Sequence, residues 1–346
     1  MRWNNVYLAG LGVDLPERVL TAEQAVRDGL YDARRAKING IRAVRIAPDD
    51  EPPPMMAVRA GRRALARSGH RAEQVGLLLH TYINHQGRDM WSPAQYVQQG
   101  TVGSSCQVAM EVRQGCNGAL GALELAASHL SARPDVDAAL ITAADAWKQP
   151  YVDRFTTDEQ VVFSDGGSAA LLSSRSGFAR LLSTASRSEP SLEPMYRGEG
   201  PWTTAPFLDG KPLAVSERPR QWLMREENVY DDTLGLMDRR FAEAIAQALA
   251  DADTELADVR WFVHANVIRP IAEWGFVRKI GFDPARTPYE WGLGVGHLGN
   301  SDQFAGVDHL IEAGLPRAGD RLVMVGIGTG FMWTAAVLEL LEVPRW

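Results

Sequence analysis

The feature that most constrains the fold is an internal duplication at half the length of the chain. Residues 60–80 align without a gap to residues 244–264, and each stretch reads as a helix of small apolar residues, a polar turn and a short strand that ends in histidine. At the same offset of 184 residues, Cys116 falls on Asn300. Two such units predict a layered α/β architecture with a pseudo-two-fold axis.

The duplication divides the chain into two halves that are joined by a segment of different composition. We assign residues 1–184 to an N-terminal half and residues 223–346 to a C-terminal half. The segment between them, residues 185–222, is rich in Pro, Gly and Ser and carries scattered aromatic residues, among them Trp202 and Phe207. Aromatic residues are scarce in flexible linkers, so we favour an ordered lid over the alternative of a disordered linker.

Composition excludes several classes of function. With 346 residues, 45% of them hydrophobic, the chain has enough apolar side chains for a large core. A net charge of −7 disfavours nucleic acid and anionic membranes as partners. Two cysteines make neither a disulfide framework nor a paired zinc site, and no run is long and apolar enough to cross a membrane. We therefore expect a soluble, cytoplasmic protein with no metal and no cofactor.

Cys116 is the candidate nucleophile. It lies between a predicted strand and a stretch of helical periodicity, QGCNGALGALELAASHL, where the positive end of the helix dipole favours the thiolate. Its small neighbours, Gly115 and Gly118, leave room for a substrate. The alternative, a buried cysteine that acts as a small apolar residue, suits Cys106 better.

An activated thiol needs a proton acceptor, and we predict His264 for this role. His264 follows the apolar strand WFV and should emerge at the carboxyl edge of the sheet, whereas its counterpart His80 is interpreted as structural. In the segment GVGHLGNSDQF, Asn300 and Asp302 are able to hydrogen-bond an imidazole or a substrate oxygen, although either residue also suits a helix N-cap.

These motifs together resemble the β-ketoacyl-acyl-carrier-protein synthase III family, over essentially the whole chain. The resemblance rests on the cysteine turn, the His-x-Asn at a strand end, and the segments INGIRAVRIAPDDE, VFSDGGSAALLSS, GNS and GTGFMWTAAV. It implies a homodimer of subunits with the thiolase-like, five-layered αβαβα fold. It further implies that Cys116 accepts an acyl group and that His264 and Asn300 are the histidine and asparagine of the family's catalytic site. The N–H groups of Cys116 and Gly330 would form an oxyanion hole, and Trp91 would line the acyl pocket.

Further substrate contacts are predicted on both sides of the cysteine. In addition to Trp91, we expect the substrate to contact Asn266 and Arg269, with Trp202 and Phe207 on the lid. Nothing in the spacing identifies the residue that would recognise a malonyl carboxylate, for which an arginine is suitable because it forms bidentate pairs; the open candidates are Arg88, Arg154 and Arg269.

Two departures from the family pattern change the predicted reaction. Asp302 stands where the family has small or hydroxylic residues, and a carboxylate there opposes the enolate of a decarboxylative condensation but raises the basicity of a histidine. The Arg-Thr pair that contacts coenzyme A in typical synthases is missing near Ile38 and Asn39. In these respects the chain is similar to the ester-forming malonyltransferases of aromatic polyketide antibiotic pathways, of the cervimycin type.

The leading hypothesis is an acyltransferase that works by a ping-pong mechanism. Cys116 takes an acyl group, malonyl in our expectation, from a coenzyme A or carrier-protein thioester, and a hydroxyl of a sugar or polyketide acceptor then forms an ester. One alternative is a condensing synthase that makes a carbon–carbon bond, which Asn300 keeps open. The other is a non-catalytic partner subunit, which typically lacks the nucleophile.

Overall fold

The computed structural model describes residues 1–204, 210, 212–225 and 230–346. Its strands are β1 Tyr7–Asp14, β2 Val19–Thr21, β3 Ala43–Arg45, β4 Val75–Thr81, β5 Val108–Val112, β6 Ala138–Asp145, β7 Gly166–Ser173, β8 Ala179–Ser188, β9 Val259–Val263, β10 Arg321–Gly328 and β11 Met332–Leu340. Its helices are α1 Ala22–Arg27, α2 Ala33–Asn39, α3 Pro53–Ser68, α4 Pro93–Thr101, α5 Gly118–Ala132, α6 Glu193–Arg197, α7 Glu217–Leu223, α8 Tyr230–Asp251, α9 Arg269–Ala272, α10 Tyr289–Gly292 and α11 Asp302–Glu312. Within these described ranges, no helix combines the length and apolarity that a membrane crossing needs.

The main sheet repeats one topology on both sides of its centre. Its strand order is β5-β4-β6-β7-β1-β8-β11-β10-β9. In the first half β6 pairs parallel with β4 and antiparallel with β7, and in the second half β10 pairs parallel with β9 and antiparallel with β11. The halves meet where β1 and β8 pair antiparallel over only two residue pairs. The pseudo-two-fold axis expected from the duplication therefore lies between β1 and β8.

Helices cover the sheet in layers. α5 and α11 lie in a central layer, where Leu120 and Leu123 share one apolar cluster with Phe304 and with strand residues of both halves. α3 packs on the outer face of the first half, and α8 packs on the outer face of the second half. α5 is rich in Ala, Gly and Leu around most of its circumference, as expected for a helix enclosed by other elements. The predicted thiolase-like α/β fold is confirmed.

The connecting segment, residues 185–222, contains more regular structure than its composition suggested. Its first residues, 185–188, complete β8, and α6 and most of α7 follow within it. Backbone N–H groups of Leu213 and Val215 donate to the carbonyls of Tyr151 and Thr157, so the approach to α7 is tied to the first half of the chain. Phe207 lies outside the described residues.

Candidate active site

Cys116 occupies a tight turn between β5 and α5. Gly115 before it has a positive φ of 50°, and a Cβ at that position would lie 2.8 Å from the Thr329 backbone nitrogen. Only glycine therefore allows the turn to approach the loop between β10 and β11 so closely. α5 begins at Gly118, two residues after the cysteine, with Asn117 as its N-cap residue. The thiol is thus placed at the positive end of a buried helix.

The imidazole that contacts the thiol belongs to His297. The sulfur of Cys116 lies 3.3 Å from Nε2 of His297, and Nδ1 of the same ring donates to Oδ2 of Asp302 at 2.5 Å. His297 is almost completely buried, and Asp302 is completely buried. A carboxylate that accepts from Nδ1 leaves Nε2 to exchange a proton with the sulfur. Cys116, His297 and Asp302 therefore form a continuous hydrogen-bonded triad.

Backbone and amide donors hold the Asp302 carboxylate in place. Besides His297, it accepts from the backbone N–H groups of Asn266 and Leu298, both at 2.8 Å, and from Nδ2 of Asn266 at 3.0 Å. Asp302 is also the first residue of α11, where the helix dipole favours a negative charge. The carboxylate is therefore fixed in its orientation before any substrate binds.

Electrostatics of the triad favour a charged imidazole. Burial by itself would lower the pKa of His297, but the charges of Asp302 and Cys116 and their hydrogen bonds hold this pKa well above its usual value. An imidazolium beside the sulfur stabilises a thiolate. The raised pKa of His297 therefore favours a positive charge on the imidazole in contact with the sulfur.

His264, predicted from the sequence as the partner of Cys116, has a different environment. Its Nδ1 donates to the Ala265 carbonyl at 2.7 Å, and its ring stacks on Phe276 with 3.9 Å between the ring centres. Burial lowers the pKa of His264 to about 4, so the ring is neutral near pH 7. His297 therefore occupies the position in hydrogen-bond contact with the thiol that was predicted for His264. His80 is buried between Thr142 and Gln86, in keeping with a structural role.

His297 is not indicated by the patterns that pointed to His264. Strand ends and the duplication select His80 and His264, whereas His297 lies in the turn that leads into α11. The available signal was local: His297 stands five residues before Asp302, in the segment already selected for its Asn and Asp. A carboxylate so close in sequence to a histidine is itself a reason to consider that histidine.

Asn300 lies beside the start of α5 with its side-chain amide unused. Both amide atoms are buried and lack a hydrogen-bond partner among the described residues. A Cβ at Gly118 would lie about 3 Å from them, so the amide is next to the helix that carries the cysteine. Buried amides are normally hydrogen-bonded, so an unpaired amide next to the helix of the nucleophile is unusual, although Asn300 is not among the residues that line the cavity described below.

A cavity of about 850 Å³ opens onto Cys116 and His297. Its walls are mostly apolar and aromatic and come from both halves and from the connecting segment, as shown by Trp147, Phe163, Met195, Leu213, Leu223, Met237, Ile271, Trp274, Ile327 and Phe331. A volume of this size accommodates a small-molecule substrate. The turn at Gly330 adjoins the cavity, because Thr329 and Phe331 on either side both line it.

The other predicted substrate contacts that the structure describes are not part of the cavity wall. Among the described residues, the cavity wall does not include Trp91, which packs edge-on against Tyr96, or Trp202, whose surface is 88% exposed. It also does not include the exposed Arg269. The amide of Asn266 serves Asp302 and the Gly296 carbonyl, which makes it a support of the triad rather than a free substrate contact. Local composition alone does not place these side chains relative to the cavity.

No group of three or more His, Cys, Asp or Glu residues in the described part of the chain is arranged to hold a metal ion.

Comparisons with known proteins identify the family of this chain. Models of the 3-oxoacyl-[acyl-carrier-protein] synthase III family match residues 110–190, and those of its C-terminal region match residues 249–340. A β-ketoacyl-[acyl-carrier-protein] synthase III of Rhodospirillum centenum is 28% identical over 339 residues, covering 96% of this chain and 98% of the relative.

Solved structures show the same relationship. The acyltransferase ChlB3 superimposes with a TM-score of 0.92 at 35% identity, covering 98% of this chain and 99% of that one. The synthase III of Aquifex aeolicus superimposes with a TM-score of 0.76 at 20% identity, covering 96% and 99% of the two chains, and supports the fold. The chain therefore belongs to the 3-oxoacyl-[acyl-carrier-protein] synthase III family and is an enzyme of the thiolase-like fold.

Proposed function

We propose that the protein is an acyltransferase that carries an acyl group on Cys116 and passes it to a hydroxyl group, forming an ester. The observation that carries the proposal is the hydrogen-bonded line from Cys116 through His297 to Asp302. A thiol, an imidazole and a buried carboxylate in this order provide a nucleophile, a proton carrier and an orienting group. The similarity to the acyltransferase ChlB3 supports the same class of reaction.

In the first half-reaction, the thiolate of Cys116 attacks the thioester carbonyl of the donor. The negative charge that develops on the carbonyl oxygen is stabilised by the backbone N–H groups of Cys116 and Gly330, as the family resemblance implies. The bond to the pantetheine sulfur breaks, and the leaving thiolate takes the proton of the His297 imidazolium. The acyl group is then attached to Cys116, and His297 is neutral.

In the second half-reaction, Nε2 of His297 removes the proton of an acceptor hydroxyl as its oxygen attacks the acyl-enzyme. Asp302 stabilises the imidazolium that forms. Collapse of the tetrahedral intermediate releases the ester and returns the Cys116 thiolate. The proposal thus gives the role of proton carrier to His297, which contacts the sulfur, in place of His264, which the sequence suggested.

Asp302 favours ester formation over condensation. Decarboxylation of a malonyl group leaves an enolate, which neutral hydrogen-bond donors stabilise and a nearby carboxylate opposes. The second candidate function is nevertheless a carbon–carbon condensation, and one observation favours it: the unpartnered, buried amide of Asn300 beside α5. A silent partner subunit is disfavoured by the assembled triad.

The remaining parts of the proposal concern substrates, assembly and location. We propose malonyl-coenzyme A or a malonyl carrier protein as donor, without any further cofactor, and a glycosylated polyketide or another hydroxylated molecule as acceptor, as in antibiotic pathways of the cervimycin type. The mostly apolar cavity supports a deoxygenated or aromatic acceptor. A homodimer and cytoplasmic localisation stay predictions.

Intact-protein mass spectrometry tests the proposal. Wild-type protein incubated with malonyl-coenzyme A is expected to gain the mass of one malonyl group, and C116A is expected to gain none. Addition of a panel of glycosylated aromatic polyketides should discharge the acyl-enzyme and yield a malonyl ester. Release of carbon dioxide without an ester would instead support condensation, and an absence of any mass gain would support the silent subunit.

A further inference from the structure

The cavity next to Cys116 contains one positively charged arginine side chain. Among the described residues that line it, Arg218 is the only arginine or lysine, and Asp158 is the only aspartate or glutamate. Most of the other lining side chains are apolar or aromatic. A charged group beside apolar walls interacts more strongly with an opposite charge than it does in bulk water, because the local dielectric constant is lower.

Arg218 is held in position without an acidic partner among the described residues. It lies on α7, its Nη1 donates to the Tyr196 carbonyl at 3.0 Å, and its stem packs against Gly198, where a Cβ would lie 3.0 Å from Cγ of the arginine. Neighbouring arginines, in contrast, each pair with a glutamate: Arg197 with Glu193, Arg220 with Glu159, and Arg225 with Glu199. Arg218 therefore differs from the arginines around it, because no acidic side chain in the described part of the chain pairs with it.

Asp158 does not neutralise Arg218. Its carboxylate accepts the backbone N–H of Gln160 at 2.7 Å, and no ion pair joins it to the arginine. Burial raises the pKa of Asp158. Among its charged neighbours, His297 acts to lower this pKa and Glu159 acts to raise it. Half-buried guanidinium groups are stabilised by bidentate contact with a carboxylate. No described residue supplies such a carboxylate to Arg218, which leaves its guanidinium free to pair with the carboxylate of a ligand.

We propose that Arg218 recognises the free carboxylate of the acyl donor, so that the enzyme selects half-thioesters of dicarboxylic acids such as malonate. The inference rests on the proposed loading of Cys116 and names the acyl class that is loaded. Arg218 takes the role for which three other arginines were considered from the sequence. Arg154 forms hydrogen bonds to Asp165 at 2.7 Å, and neither Arg88 nor Arg269 is part of the cavity wall.

The test compares two donors of the same shape. In 3-methylbutyryl-coenzyme A a neutral isopropyl group replaces the carboxylate of malonyl-coenzyme A. The initial rate at which each donor acylates Cys116 is measured by intact-protein mass spectrometry for the wild type, R218Q, R218K and the matched control R220Q, whose arginine lies on the same helix but pairs with Glu159 at the surface. Melting temperatures are measured in parallel.

We expect R218Q to lower the rate of malonyl loading about 10- to 100-fold, the range of a lost charge-assisted hydrogen bond, and to leave 3-methylbutyryl loading unchanged. R218K should retain part of the malonyl rate because it keeps the charge, and R220Q should resemble the wild type with both donors.

Two results would overturn the inference while acyl transfer itself stands. One is malonyl loading by R218Q at the wild-type rate. The other is an equal loss of both donors, together with a lower melting temperature, which would assign Arg218 to holding the end of α6. If wild-type Cys116 accepts neither donor, the proposed function fails and the inference fails with it.

Discussion

At the residue scale, the roles of the two C-terminal histidines are distinguished by their surroundings. His297 lies between an anionic carboxylate and a thiol, which favours its charged form, whereas His264 stacks on Phe276 and is kept neutral by burial. Both rings are almost fully enclosed, so burial alone does not separate them. The difference comes from the charged partners, which only His297 has in direct contact.

The first prediction concerns alkylation of Cys116 by iodoacetamide at pH 6. We expect H297A and D302N each to slow the reaction about 10-fold or more, because H297A removes the imidazole beside the sulfur and D302N removes the carboxylate that favours its charged form. H264Q should leave the rate unchanged. The rates are measured by mass spectrometry of the peptide that contains Cys116.

A C106S background removes the second thiol from this measurement. If H264Q slows alkylation as much as H297A does, the assignment of the proton carrier to His297 is wrong.

At the scale of elements, one buried carboxyl connects β6 to the cavity wall. Asp145 is the last residue of β6, and its Oδ1 accepts the backbone N–H groups of Ile83 and Asn84, which follow β4 and line the cavity. Burial raises the pKa of Asp145 from 3.8 to about 7, although those two N–H groups act in the opposite direction. The carboxyl is therefore partly protonated at neutral pH.

The second prediction follows from the sign of this shift. Because the folded protein binds this proton more tightly than the unfolded chain does, Asp145 lowers the free energy of unfolding as pH rises from about 4 towards 7. Asparagine mimics the neutral acid, so the fall in stability between pH 5 and pH 8 should be smaller in D145N than in the wild type, by about 2 kcal/mol.

Urea unfolding at both pH values measures this difference, with D28N, which alters an exposed aspartate, as the control. The prediction fails if D145N and the wild type lose the same stability between pH 5 and pH 8.

At the scale of the whole molecule, β5 is an exposed edge of the main sheet. Of the strands that the structure describes, only β4 pairs with it, and Met110 in its middle is 48% exposed. Unprotected edge strands tend to pair with another chain, and symmetric dimers bring the same surface of two copies together. This edge is consistent with the homodimer that the family resemblance implies.

The third prediction is that the wild type is a dimer in light scattering and that M110K shifts it to the monomer. A lysine in the middle of the edge places two like charges close together across the two-fold axis. The control is M224K, which changes a methionine that is 85% exposed at the end of α7. A monomeric wild type, or a dimeric M110K, contradicts the prediction.

Sequence alone determined the fold class and the position of Cys116 in a turn between a strand and a helix. These features depend on local and periodic information: the repeat at 184 residues and the strand-to-helix turn with its glycines. Such patterns are visible in sequence because backbone geometry and helix dipoles act over a few residues.

Only the tertiary structure decided which histidine meets the thiol, which predicted contacts line the cavity, and which arginine faces the cavity with no acidic partner among the described residues. Cys116 and His297 are 181 residues apart in the chain, and their contact depends on how α5 and α11 pack between the two halves. Arg218 became a candidate because the connecting segment folds over the cavity while its neighbouring arginines find glutamates. Side-chain partners of this kind are set by packing across the whole molecule, which no local pattern records.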